Sequence, residues 1–381
     1  MTWLEDLWWR DGAAPGRPLL AILALAEVGF RAGVAVRSAL HESGLARPAV
    51  APVPVISIGN LTVGGAGKTP VTLAVAERLR ARGRNVAILS RGYGARRGGA
   101  RVVGDGRRVL LTEEEAGDEP LLLARRLSGA AVLCGPRRAD LAARAVGELG
   151  ADVLVLDDGF QHRALARDLD VVVLDAASPT GNGRLLPRGP NREPWDALGR
   201  AHLAWISRAD QAGAPEVEAL RTRLLRATGR PPVESRHAVR DVLDGVLTRA
   251  FGAGALDGRR VLLLCALARP DGFRRTLSAM GAQVVAERVF RDHHRFTPDE
   301  LEEALRAAGE ARCDAVATTE KDAVRLPARI ATDPRWRVVR IDVELLAGAD
   351  ELDRLLGSAL QRGDARRKGM AGRAAGEAGR R

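Results

Sequence analysis

Aromatic residues make up only 3% of this 381-residue chain, and Tyr93 is its single tyrosine. A surface that grips single-stranded nucleic acid by base stacking is therefore poorly supplied. Cysteine is scarce too: Cys134, Cys265 and Cys313 lie far apart and form no C-x-x-C pair. That speaks against a zinc site or a disulfide framework and for small buried apolar residues in a reducing compartment. A long hydrophobic run is also missing. The best one, from Pro18 to Ala26, is broken by Glu27, Arg31 and Arg37, short of the roughly 18–20 residues of a membrane span. Glu5, Asp6 and Asp11 stand where a signal peptide would be basic. An acidic balance is absent: 59 Lys and Arg against 48 Asp and Glu leave a net charge of +11. Such a charge suits nucleic acid, an anionic membrane surface or phosphorylated substrates, and without interleaved aromatics nucleic acid is not expected.

What is present begins with tryptophan. Trp3, Trp8 and Trp9 are three of the six in the chain, just before an amphipathic helix expected near 17–43. Two placements fit this pattern: the apolar face on a membrane, with tryptophans at headgroup level, or the helix packed on the protein body.

The length suggests two domains. From residue 53, apolar stretches expected as strands (53–58, 85–89, 130–134, 152–156, 170–174) alternate with helical ones (71–82, 116–128, 137–149). That alternation predicts an α/β fold with a mostly parallel sheet of the P-loop NTPase type. A second, smaller α/β set has strands at 261–266, 283–289 and 315–318 and helices at 270–280 and 298–308. Extended stretches at 233–242 and 336–343 flank it as a hinge. The expected divisions are a helical membrane-associating segment at 1–47, a first α/β domain at 48–230 and a second domain at 231–345. A C-terminal helix at 346–361 and a disordered basic tail at 362–381 complete the chain, the tail having almost no large apolar side chain.

The stretch Gly59-Asn-Leu-Thr-Val-Gly-Gly-Ala-Gly-Lys-Thr-Pro70 reads as the end of a strand, a glycine-rich turn and a helix start. Gly64, Gly65 and Gly67 let consecutive N–H groups turn inward around a phosphate. Lys68 supplies a charge for the β- and γ-phosphates, and Thr69 a hydroxyl for Mg²⁺. The strict G-x-x-x-x-G-K-[ST] pattern is departed from once, at Thr62. Thr62, Val63, Gly64, Gly65, Ala66, Gly67, Lys68 and Thr69 form the expected nucleotide cradle. An apolar strand ending in Asp157 and Asp158 has the form of a Walker B element, an acid at a strand tip that holds Mg²⁺. Arg91 and Tyr93, on a glycine-flexed loop at the ligand edge of the sheet, suit substrate contacts, and Arg138 suits an anion. Residues 178–194 form a long loop at the same edge.

Seven signatures in order resemble one family, the tetraacyldisaccharide 4′-kinases. They are the loop just quoted, Ser90-Arg-Gly-Tyr-Gly94, Gly117-Asp-Glu-Pro120, Leu156-Asp-Asp-Gly-Phe-Gln-His-Arg163, Leu186-Pro-Arg-Gly-Pro-Asn-Arg-Glu-Pro194, Phe290-Arg-Asp-His-His294 and Thr318-Thr-Glu-Lys-Asp-Ala-Val-Arg-Leu-Pro327. Thr62 agrees with the family's own loop, whereas Arg188 and Asn191 stand where smaller or apolar residues are expected. The resemblance implies transfer of the γ-phosphate of ATP to the 4′-hydroxyl of tetraacyldisaccharide 1-phosphate, giving lipid IVA. It implies a catalytic pair, Asp118 and His293, from different domains. It further implies Mg²⁺ at Thr69, Asp157, Asp158 and Glu119, and lipid head-group contacts at Arg91, Tyr93, Arg138, His162, Arg192 and Glu193. A monomer on the cytoplasmic face of the bacterial inner membrane, held there peripherally by the N-terminal helix, is expected. The competing class is a nucleotide-driven switch, since phosphate loops serve both; Thr319-Glu-Lys-Asp322 is only superficially like a guanine-reading motif.

Overall fold

A computed structural model describes residues 7–9, 16–93 and 99–378. Trp3, Gly94 and the last three residues of the tail therefore lie outside the described residues. In chain order the main elements are α1 (Arg17–Glu42), β1 (Val55–Gly59), α2 (Lys68–Ala81), β2 (Val86–Ser90), β3 (Arg101–Asp105), α3 (Asp118–Arg126), β4 (Ala131–Cys134), α4 (Arg138–Gly147) and β5 (Val153–Asp157). Then follow β6 (Leu169–Asp175), β7 (Leu203–Ser207), α5 (Ala214–Thr228), β8 (Val233–Leu243), β9 (Arg260–Cys265), α6 (Pro270–Ala279), β10 (Gln283–Val289), α7 (Pro298–Glu310), β11 (Ala315–Thr319), α8 (Glu320–Ala323), β12 (Trp336–Ala347) and α9 (Ala349–Ala378).

Among the described residues, twelve strands join one sheet, in the order β10-β9-β11-β12-β8-β7-β6-β1-β5-β2-β4-β3. β1, β2, β4, β5, β6 and β7 are buried along their whole length, which is why their apolar runs show no alternation. Within this first lobe every pairing is parallel except that of β3 with β4. β1 lies between β6 and β5, so the chain leaving β1 for β2 passes over β5. Ligands bind beyond the carboxyl ends of strands at such a reversal of strand order.

The second lobe, β10-β9-β11-β12, continues the same sheet. The link is narrow: β8 pairs with β7 only at Trp205↔Val233 and Ile206↔Glu234, then runs antiparallel to β12. The stretches expected to form a hinge are thus two partners of one ribbon. Each lobe keeps its own apolar core, with Trp205 central in one and Trp336 in the other.

β3, β7 and α5 go beyond the sequence expectation. β3 has no apolar run to reveal it, and β7 is only five residues long. The C-terminal expectation is corrected. Instead of ending at 361 before a disordered tail, α9 continues through Ala378. Leu352, Leu355, Leu356, Ala359 and Leu360 enter the first-lobe core. Beyond them the arginines find buried acceptors: Arg366 donates to both oxygens of Asp168, at 2.9 and 2.8 Å, and to the carbonyls of Ala51 and Val53. Gly363 lies so close to Pro54 that a Cβ there would come within 2.3 Å of its ring. Composition missed this because the partners are far away in sequence.

Candidate active site

The glycine-rich turn leaves β1 and caps α2. Gly67 takes a left-handed conformation, φ 81°, with Ser207 and His237 against it, so a side chain there would be both strained and crowded. Thr62, buried, accepts from Asn60 Nδ2 at 3.2 Å, and Asn60 Oδ1 accepts from Lys68 Nζ at 3.1 Å. Thr62 therefore braces the lysine from beneath the loop rather than facing a ligand. The loop is also held from above: Arg208 and Arg269 donate to the Gly65 carbonyl at 2.6 and 3.0 Å, and both pair with Asp175 at the tip of β6.

Asp157 and Asp158 end β5 with opposite electrostatics. Burial, and after it the charges of Glu119 and Asp158, push the Asp157 carboxyl up to about 7, although Thr72 and Ser90 both donate to it. Asp158 is half-buried on the cleft wall, and Lys68 at 3.4 Å and Arg192 at 2.8 Å more than offset its desolvation and hold its carboxyl well below the ordinary range. The mutual repulsion of Asp157, Asp158 and Glu119 beside a phosphate cradle is what a divalent cation would relieve. Among the described residues no three His, Cys, Asp or Glu side chains form a metal cage by themselves. That fits Mg²⁺, which is usually held by one or two carboxylates together with phosphates and water.

Asp118 and His293 meet across the two lobes. Asp118 opens α3 behind Gly117, whose φ of 85° lets the Tyr93 carbonyl come so close that a Cβ would lie 2.4 Å from it. His293 Nδ1 lies 2.8 Å from Asp118 Oδ2, and the Glu119 N–H donates to Oδ1 at 2.9 Å. Burial works to raise the Asp118 carboxyl, but the His293 hydrogen bond and the charges of Lys321, His293 and Arg325 bring it down to about 2. Of the five described non-glycine residues with positive φ, Asp158, Arg208 and His293 stand here. Such strained backbone gathers at functional sites.

A cleft of about 980 Å³ unites these parts. Its walls include the loop from Val63 to Thr69, Arg91, Tyr93, Glu119, Asp158, Arg192 and His293. Asp118, only 4% exposed, lies behind His293, and Asp157 is covered by its hydroxyl donors. Three expected head-group contacts do not line the cleft. Arg138 is 2% exposed and donates to the Gly135 carbonyl. His162 is half-buried beside it, where burial and the charges of Arg138, Arg167 and Arg91 bring it down to about 4. Glu193 is buried between Arg200, at 2.8 Å, and Arg37 of α1, at 3.7 Å. Asn60, Asp175, Arg208, Arg269, Asp292, Lys321 and Arg325 went unnoticed in the sequence. Asn60, Asp292, Lys321 and Arg325 lie inside quoted signatures without having been given a role; for the others only the strand-tip position of Asp175 was a signal.

α1 lies against this site. Glu27, although mid-helix, is buried, accepting from the Leu185 N–H at 3.1 Å and pairing with Arg31 and Arg188. Arg188, unexpected in sequence, thus has a use, and Asn191 donates to the Thr180 and Arg184 carbonyls within the same loop. The opposite face exposes Ile22 (64%), Leu25 (76%), Val28 (62%) and Val36 (60%). The helix from Pro18 to Glu42 is long and apolar enough to cross a membrane, so the reading of this stretch as far too short for a span does not hold. Trp8 Nε1 donates to the Pro187 carbonyl, and the Arg269 guanidinium lies 4.9 Å over the Trp9 ring.

A family model described as tetraacyldisaccharide-1-P 4′-kinase matches residues 19–361. A tetraacyldisaccharide 4′-kinase from Anaeromyxobacter sp. (strain Fw109-5) is 66% identical over 365 residues, 96% of this chain and 98% of that one. One from Syntrophus aciditrophicus (strain SB) is 37% identical over 329 residues, covering 84% and 88%. The crystal structure of LpxK from Aquifex aeolicus in complex with ATP has a TM-score of 0.72 at 29% identity, covering 90% of this chain and 99% of that chain. The chain belongs to the tetraacyldisaccharide-1-P 4′-kinase family.

Proposed function

We propose that this protein carries out its family's reaction, moving the γ-phosphate of ATP to the 4′-hydroxyl of tetraacyldisaccharide 1-phosphate, with Asp118 and His293 as the catalytic pair. The observation that carries the reading is the 2.8 Å contact between the pair, made from two lobes over one cleft that also holds the phosphate loop. In phosphoryl transfer the protein's task is mainly to position the groups and neutralise charge. The loop amides and Lys68 take the triphosphate. Arg192, already on the cleft wall, lies close to where negative charge would gather. Asp158, Asp157 and Thr69 would hold Mg²⁺, with Glu119 on the wall beside them. The ion would supply charge neutralisation on the phosphate oxygens.

Asp118 accepts two hydrogen bonds and an ionised carboxylate has about four lone-pair sites, so capacity remains for a sugar hydroxyl. His293 holds that carboxylate in place. Because the halves sit on lobes joined by a narrow ribbon, closure of the lobes assembles the pair and excludes water. Arg91 and Tyr93 are the head-group contacts best supported by position, the arginine suiting a phosphate. The exposed apolar stripe of α1 would rest in the cytoplasmic face of the inner membrane, beside the acyl chains, with the protein acting as a monomer.

Incubation with ATP and the disaccharide 1-phosphate lipid tests the reading, the expected product gaining one phosphate. ATP hydrolysis without transfer would favour the switch class instead.

A further inference from the structure

The signature Thr318-Thr-Glu-Lys-Asp-Ala-Val-Arg-Leu-Pro327 has no part in the phosphate loop or in the pair itself, yet its side chains converge on His293 and Asp118. Thr319 at the end of β11 caps α8, its hydroxyl bonded to the N–H and carboxylate of Asp322. Asp322 is fully buried, accepts from the Ala266 N–H and pairs with Arg325. This anchors the first turn of α8 so that Lys321 points back at the site. Its Nζ lies 3.1 Å from Asp292 Oδ1, 3.3 Å from His293 Nε2 and, across the lobes, 3.9 Å from Glu119. Burial alone would strip the charge from Lys321, but Asp292, Glu119 and Asp118 outweigh it and favour the ammonium.

We infer that Lys321 is a positioning residue for the pair: its ammonium donates to Nε2 of His293 and so holds the imidazole as the neutral Nδ1–H tautomer that donates to Asp118. The inference rests on the reading of Asp118 and His293 as the catalytic pair. An ammonium has three donors and no lone pair, so Nε2, 3.3 Å away, must be the acceptor. Nδ1 then carries the proton, matching the Asp118 carboxylate, which can only accept. The other neutral tautomer would set Nε2–H against the ammonium and a bare Nδ1 against Asp118 Oδ2. An imidazolium would set a second positive charge against Lys321. Burial and the Lys321 charge oppose that imidazolium, but Asp118 Oδ2 at 2.8 Å and Asp292 Oδ2 at 3.7 Å favour it and raise His293 above its ordinary value. What Lys321 selects is therefore which neutral tautomer remains once the ring deprotonates. Among the remaining neighbours, Arg325 lies 3.6 Å from Asp118 Oδ2, and the Tyr93 ring packs on the imidazole at 5.2 Å. Lys321 also steadies the backbone. His293 has φ 58°, and Asp292, held by Lys321, accepts its N–H at 3.1 Å.

The test is a long-range proton–nitrogen correlation spectrum of the full-length protein labelled with ¹⁵N-histidine. With six histidines the signals are assigned by comparison with His293→Ala. The wild type should show His293 protonated at Nδ1 and bare at Nε2 on the alkaline side of its raised titration. Lys321→Met should lose that pattern, and Lys321→Arg, which keeps a donor, should retain it. Turnover of Lys321→Met should fall at least about tenfold, while ATP affinity stays within about threefold. A wild-type proton on Nε2, or an unchanged tautomer in Lys321→Met, would overturn the inference. So would a tenfold loss of ATP affinity with the tautomer intact, which would make Lys321 a phosphate ligand. If Lys321→Met does not fold, the spectra of the wild type and Lys321→Arg decide. Failure of the underlying reading looks different: Asp118→Asn would turn over normally while the tautomer stayed as described.

Discussion

Asp118→Asn keeps the shape of the side chain and removes its charge. In the wild type one carboxylate oxygen accepts from the Glu119 N–H and the other from His293 Nδ1. An amide has one oxygen, so its NH₂ must face one of these donors at a site only 4% exposed. Losing a buried, charge-assisted hydrogen bond in this way costs about 1.5–3 kcal/mol of stability or of lobe closure. The effect on chemistry is separate. General-base assistance is worth about 10²–10⁴ in rate, about 2.7–5.4 kcal/mol. A carboxylate held near 2 is a weak base, which argues for the lower half of that range. The expected result is a turnover number about 10²–10³ lower, with ATP affinity close to wild type because the phosphate loop is untouched. Transfer of labelled γ-phosphate to the disaccharide lipid measures the first quantity and equilibrium ATP binding the second. A folded Asp118→Asn protein with turnover within threefold of wild type would refute the assignment of Asp118 as base.

Three further predictions concern other parts of the molecule. Changing Ile22, Leu25 and Val28 to serine should lower partition onto anionic vesicles about 10²-fold or more, since each such side chain contributes about 1.5–3 kcal/mol when buried; unchanged binding would mean that this face does not meet the bilayer. Arg366→Ala should cost about 2–4 kcal/mol by leaving the Asp168 carboxylate without its bidentate partner, read as a lower urea midpoint, whereas exposed Lys368→Ala should change stability by less than about 0.5 kcal/mol. His237, brought down to about 3 by burial and the Arg208 charge, stays neutral where an unfolded histidine would protonate. The unfolded chain therefore binds more protons between pH 6.5 and 3, and stability falls as pH drops through that window. Going from pH 7 to 5 should cost about 2 kcal/mol through this group, and His237→Asn should flatten the melting temperature against pH; an unaltered slope would rule the account out.

The sequence by itself determined the local parts. The apolar runs fixed the central strands, because a strand covered on both faces has no use for alternation. Glycines followed by Lys68 and Thr69 fixed the loop, because the φ values and charge it needs are written in the residues themselves. The pairing of Asp118 with His293 came from the family resemblance that the ordered motifs carry, not from either residue alone. What only tertiary structure decided depends on partners distant along the chain. A stretch of arginine, glycine and alanine read as disordered, yet Arg366 reaches Asp168, 198 positions away. Glu193 read as a substrate contact, but it is buried between Arg200 and an arginine from α1. The resemblance accounted for Thr62 in place of a glycine, but that it braces Lys68 through Asn60 is a matter of contacts in space. Lys321 stood in plain view within a motif, but its meaning is a distance to His293 Nε2. Patterns of burial and backbone freedom are local and can be read from neighbours in sequence. The pairing of charges and donors is set by distance in space, and it emerges only when the sheet brings β5, α3, β11 and the loop after β10 to one cleft.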